Sequence, residues 1–93
     1  MHHTQKHIKF KRVKLGRQKI HGLADSYPLL IDARLTGKKE MEIYLHEMLH
    51  YIYKKQPEEN IERAAILITN TLWMEGFRKV DNSKDVPLQD GSL

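Results

Sequence analysis

Apolar and basic side chains alternate with a period close to two over His7-Ile8-Lys9-Phe10-Lys11-Arg12-Val13-Lys14-Leu15. Successive side chains of a strand point to opposite faces, so this period predicts a half-buried β-strand. Gly16 breaks it. Gln18 to His21 reads as a short return strand or as loop, and Gly22 to Pro28, carrying Gly, Asp, Ser and Pro, as a connection. Leu29-Leu30-Ile31-Asp32-Ala33-Arg34-Leu35 is a short apolar run passing into alternation, which predicts a second strand. Thr36-Gly37 marks the change to a longer period. From Lys38 to Lys55, Met41, Leu45, Met48, Leu49 and Ile52 recur at spacings of three and four, the stripe of an amphipathic helix. Thr36 suits its N-cap, Glu40 and Glu42 its first turns, and Lys54 and Lys55 its last. Gln56-Pro57-Glu58-Glu59 restarts a helix, with Pro57 at the first helical position and Glu59 able to cap backward. This second helix is expected to reach about Lys79. Ala64, Ala65, Ile66, Leu67, Ile68, Leu72, Trp73, Met74 and Phe77 make it apolar on most sides, which predicts a helix buried between other elements. Asp81 to Leu93 is polar and punctuated by Gly and Pro, and reads as a loose tail.

Together these elements predict an α+β fold, with a small sheet of two or three strands packed on two long helices. One domain is expected over residues 1–80. Residues 1–28 form its basic strand or hairpin and connection, 29–80 its strand and two-helix core, and 81–93 the tail. A chain of 93 residues has room for one modest core. With 40% hydrophobic and 30% charged residues it has the composition of a soluble globular protein. It contains no cysteine, so disulfides and thiolate-bound metals are excluded, and a metal site must be built from His, Asp and Glu. No apolar run approaches membrane-spanning length, and the polar, basic N-terminus lacks the apolar core of a signal peptide, so the expected location is the cytoplasm. The net charge of +4 is uneven, because the acids begin only at Asp25. A basic arm of this kind can draw nucleic acid or an acidic protein partner by charge; its plainer role is a solubilising strand face.

The chemistry concentrates in His46-Glu47-Met48-Leu49-His50. A helix advances about 100° per residue, so His46 and His50, one turn apart, project their imidazoles to the same side, away from the apolar stripe. Two neutral imidazoles at that spacing can bind one zinc ion. Glu47, the next residue along, lies near the metal without ligating it, where it can take a proton from the water that zinc activates. Each position has its own task, which makes this pattern more informative than two histidines alone.

A catalytic zinc site needs a third protein ligand and leaves a fourth position for water. The downstream acids are Glu58, Glu59, Glu62 and Glu75. If the second helix folds back at Pro57, the ligand should lie as far past the turn as His50 lies before it, roughly 10 Å or some seven residues at a rise of about 1.5 Å. Glu62 is nearest to that requirement, Glu58 and Glu59 are too close to the turn, and Glu75 is too far. Glu59 remains the alternative ligand. The plain reading of Glu62 is a surface acid pairing with Arg63 or Lys55. His7 and His21 are further imidazoles with no spacing argument behind them.

These residues resemble a family. The segment 29–35, Thr36-Gly37, Ile43-Tyr44-Leu45-His46-Glu47-Met48-Leu49-His50 and Pro57-Glu58-Glu59-Asn60-Ile61-Glu62-Arg63-Ala64-Ala65 look like the minimal core of zincin-type metallopeptidases. The arrangement is similar to that of gluzincins, including the small minigluzincins and phage or bacterial SprT-like proteins, and it spans residues 29 to 79. The resemblance implies His46, His50 and Glu62 as zinc ligands, Glu47 as general base, and hydrolysis of a peptide or protein substrate. Larger gluzincins have a fuller sheet and a second subdomain, for which this chain is too short. Tyr51, Tyr53 and Arg78 are the candidates for stabilising the transition state. The competing expectation is a catalytically silent, zinc-stabilised module whose basic N-terminal region contacts nucleic acid or an acidic partner.

Overall fold

A computed structural model of the chain describes residues 5–15, 22–23 and 27–80. Three strands, β1 (Phe10–Val13), β2 (Gly22–Leu23) and β3 (Leu29–Asp32), precede two helices, α1 (Gly37–Ile52) and α2 (Glu58–Met74). The fold is α+β, as the change of period near Thr36 predicts. Strand order is β1-β3-β2, with β1 parallel and β2 antiparallel to β3. Phe10 stands opposite Leu29 and Val13 opposite Asp32, while Gly22 and Leu23 stand opposite Ile31 and Leu30. The expected return strand over 18–21 and the tail over 81–93 lie outside the described residues. Gly22 and Leu23, read from the sequence as connection, pair as a strand, because their partner is supplied by β3 and not by local pattern.

β3 is the central strand and carries the core. Leu29 and Ile31 are fully buried, and Ile43 of α1 with Ile61 and Ala65 of α2 complete the buried apolar set among the described residues. Each large member contributes about 1.5–3 kcal/mol by leaving water. That is a modest core for a chain of this length.

α1 is the middle element. It packs against β2 and β3 on one side and α2 on another, whereas α2 contacts no other element among those described. The expectation that α2 is buried between elements is therefore corrected. It buries one stripe, Ile61, Ala65 and Thr69, at intervals of one turn. Leu67 is 65% exposed, Met74 84%, and Ile66 and Ile68 are partly exposed. The sheet is too small to reach across α1 and cover the outer side of α2. The α1 stripe differs in the same way. Its buried residues are Glu40, Ile43 and Glu47, which face the sheet. Met41, Leu45 and Met48 line an apolar groove of about 970 Å³ that they share with Leu72, Trp73 and Phe77.

Helix boundaries shift for local reasons. Thr36 is the N-cap in extended conformation, but its hydroxyl makes no capping bond; its carbonyl accepts from the Glu40 amide instead, at 3.3 Å. Gly37 follows at φ 64, in the left-handed region where a side chain is disfavoured. α1 stops at Ile52, earlier than the expected Lys55, and Lys54 and Lys55 lie in the turn that follows. Pro57 is the N-cap of α2 and not its first helical residue, and its carbonyl accepts from the amides of Asn60 and Ile61. α2 ends at Met74, short of Lys79, in a Schellman closure. Gly76, at φ 95, donates to the Trp73 carbonyl and Phe77 to the Leu72 carbonyl, at 3.0 and 2.9 Å.

One ion cluster ties β1 and the residues after α2 to α1. Arg12 of β1 donates to Glu40 at 2.6 Å, to the Tyr44 hydroxyl, and to the carbonyls of Ala33 and Leu35. Lys79 donates to the same Glu40 oxygen at 3.0 Å. Burial pushes the Glu40 carboxyl up, but the bonds from Lys79 and Arg12 outweigh it and hold the group below its ordinary value. No helix among the described residues is long and apolar enough to cross a membrane.

Candidate metal centre

His46 and His50 stand one turn apart on the last two turns of α1, with ring centroids 4.8 Å from each other. Their Nε2 atoms meet a single carboxylate. His46 Nε2 lies 3.0 Å from Glu58 Oε2, and His50 Nε2 lies 2.6 Å from Glu58 Oε1. Among the described residues these three side chains form the group that could hold a metal ion, their donor atoms all within 4.8 Å of one another. Two imidazoles and one carboxylate are a donor set used by catalytic zinc, which leaves its fourth position to water. The present contacts are direct hydrogen-bonding distances. Ligands on a tetrahedral zinc stand about 3.4 Å apart, from metal–ligand lengths of about 2.0–2.1 Å. The two imidazole–carboxylate contacts would each lengthen by under 1 Å to reach that spacing. Glu58 is 61% exposed while His46 and His50 are 16% and 30% exposed, so the group opens to solvent on the α2 side.

The sequence argument chose Glu62, whereas the structure brings Glu58 to the two histidines. Glu62 is exposed one turn further along α2 and is not in the group. The spacing argument assumed that helical rise continues from His50 to Pro57. In fact α1 ends at Ile52, two residues past His50, so His50 lies about 3 Å, not 10 Å, from the end of its helix. Residues 53–57 turn the chain, and the first residue of α2 then arrives level with the histidines. A signal for this was present. Proline disfavours helix at the residue before it, so α1 could not run unbroken into Pro57. Glu59, the other alternative, is exposed and outside the group as well. So is His7; His21 lies outside the described residues.

Glu47 follows His46 on α1 but, against the helix wheel that sets it with the histidines away from the buried stripe, it is turned toward the sheet. It is 8% exposed, which makes it one of the most buried acids described. The contrast with the open Glu58 is a matter of position: β2 passes over this side of α1, whereas Glu58 sits at a helix start facing solvent.

The three candidates for transition-state stabilisation are dispersed. Arg78 stacks on Trp73, 3.7 Å from the ring centroid, and donates to the carbonyls of Trp73 and Phe77. That is beyond the far end of α2, a helix of 17 residues and so about 25 Å long. Tyr51 packs beside Tyr27 at 5.5 Å with the Lys54 ammonium over its ring. Tyr53 is 54% exposed after the end of α1. Comparison with protein-family models, with curated proteins and with solved structures finds no match to this chain.

Proposed function

We propose that this chain is a zinc-dependent peptidase in which His46, His50 and Glu58 hold the metal and Glu47 is the general base. The observation that carries the reading is the convergence of one carboxylate on two imidazoles one turn apart, with a buried carboxylate at the intervening position. A zinc ion in this donor set would lower the pKa of a water molecule and polarise a peptide carbonyl. The protein side chains supply the rest. Glu47 accepts the proton lost by the attacking water and returns it to the amide nitrogen as the C–N bond breaks. Glu58 contributes the one anionic ligand. Among the described residues β2 is an edge strand, and its outer side would receive an extended peptide beside Glu47. The test is metal analysis of the purified chain beside cleavage of casein and a peptide library, with and without a chelator. Stoichiometric zinc with chelator-sensitive cleavage is expected; a chain that binds zinc and cleaves nothing would sink the enzyme reading.

A second reading follows from another feature. Lys6, Lys9, Lys11 and Lys14 are exposed around β1 and make no ion pair among the described residues. A zinc-stabilised module using this face would bind nucleic acid or an acidic protein with an affinity that falls as salt rises. Fluorescence anisotropy with a DNA duplex at two salt concentrations checks it. Unchanged anisotropy at low salt would remove the nucleic-acid version.

A further inference from the structure

Gly22 lies in a strand, where glycine is entropically unfavourable and offers no side chain to pack. Its backbone does not require glycine, since the glycines with positive φ among the described residues are Gly37 and Gly76. Space does. A Cβ at Gly22 would stand 2.7 Å from Cγ, 3.0 Å from Cδ and 3.1 Å from Oε2 of Glu47. Carbon atoms in contact normally keep about 3.5–4.0 Å. The missing methyl group is the room that Glu47 fills. Glu47 is 8% exposed, so it has little freedom to swing aside.

We infer that Gly22 is a positioning residue for Glu47: the bare main chain of β2 lies flat against the carboxylate side chain and fixes where its oxygens point. This rests on the peptidase reading for its catalytic meaning, although the contact itself does not. A general base works only within hydrogen-bond reach of its proton, and an error of about 1 Å can cost on the order of 100-fold in rate. Ala at this position must push the Glu47 side chain along its own length or lift β2 from α1. The zinc ligands project from other positions, so they keep their geometry when Glu47 moves.

The experiment compares wild type, Gly22→Ala, Glu47→Ala and the double variant, each loaded with zinc and, separately, with Co2+. Thermal midpoint, the visible Co2+ absorption band, and kcat and KM on a quenched-fluorescent peptide are recorded. Gly22→Ala is expected to lower the midpoint when Glu47 is present and to leave it nearly unchanged once Glu47 is cut back to Ala, because the obstructing Cγ is then gone. It should also lower kcat at least tenfold with KM little altered and the Co2+ band unmoved. An equal midpoint loss in both backgrounds would overturn the inference, as would a Gly22→Ala protein that matches wild type in midpoint and kcat. A shifted Co2+ band would overturn it too, since the ligands and not the base would then have moved. If wild type hydrolyses no peptide, the peptidase reading falls, and the two midpoint differences still decide whether Gly22 seats Glu47.

Discussion

Glu58→Gln is the most direct perturbation of the proposed centre, because it keeps the side chain's size and removes its charge. Structural zinc held by four protein ligands is stabilised by about 10–16 kcal/mol, or about 2.5–4 kcal/mol per ligand if shared evenly. At 1.4 kcal/mol per tenfold, loss of one ligand weakens binding by roughly 60- to 700-fold. Glu58 is 61% exposed, so water reaches the vacated position, and the loss should lie toward the lower end, about 100-fold. Glu62→Gln is the matched control, on the same helix and exposed, and should change zinc affinity less than about threefold. Competition against a chromophoric zinc chelator near neutral pH measures both, while circular dichroism confirms that the helices persist. If Glu62→Gln releases the metal and Glu58→Gln retains it, the position of α2 relative to the histidines is not the one described, and the sequence-based choice of Glu62 returns.

Glu47→Gln should retain zinc while peptide hydrolysis falls by about two or more orders of magnitude, the scale of losing a general base; equal loss of metal and rate would reassign Glu47 as a ligand. Thorough chelation should lower the melting temperature markedly, since an ion bound only by the folded chain stabilises it by mass action and the buried apolar set is small; an unchanged melting curve refutes a structural contribution. Glu40→Gln should cost about 1.5 kcal/mol in denaturant titrations, the low end for a bond to a charged group, because Lys79 is 64% exposed. Glu40 is held below its ordinary value of 4.5 by Lys79 and Arg12 against the opposing effect of burial, so its contribution is complete above that pH and is lost as acid protonates it. The stability gap between wild type and Glu40→Gln should therefore close as the pH falls below 4.5, and a gap that widened in acid would contradict the ion cluster.

What the sequence determined by itself was local and periodic. The alternation before Thr36 and the three-and-four spacing after it separate strands from helices, because side-chain direction repeats every two residues in one and every 3.6 in the other. The same geometry put His46 and His50 on one side of a helix and Glu47 beside them, with no information from the rest of the chain. The carboxylate that meets the two imidazoles was of another kind. Glu58, Glu59 and Glu62 lie within five residues on one helix. Choosing among them required knowing that α1 stops at Ile52 and that residues 53–57 turn, so that α2 starts level with the histidines. Arg12 shows the same division. The alternating pattern makes it one more solvated base, yet its partners are Glu40 and Tyr44, 28 and 32 residues away. Gly22 looks like a connection until β3 pairs with it and Glu47 fills the space of its absent side chain. Periodicity reports which way a side chain points from its own backbone. What it meets there is set by where a distant segment lies, and only the tertiary structure fixes that.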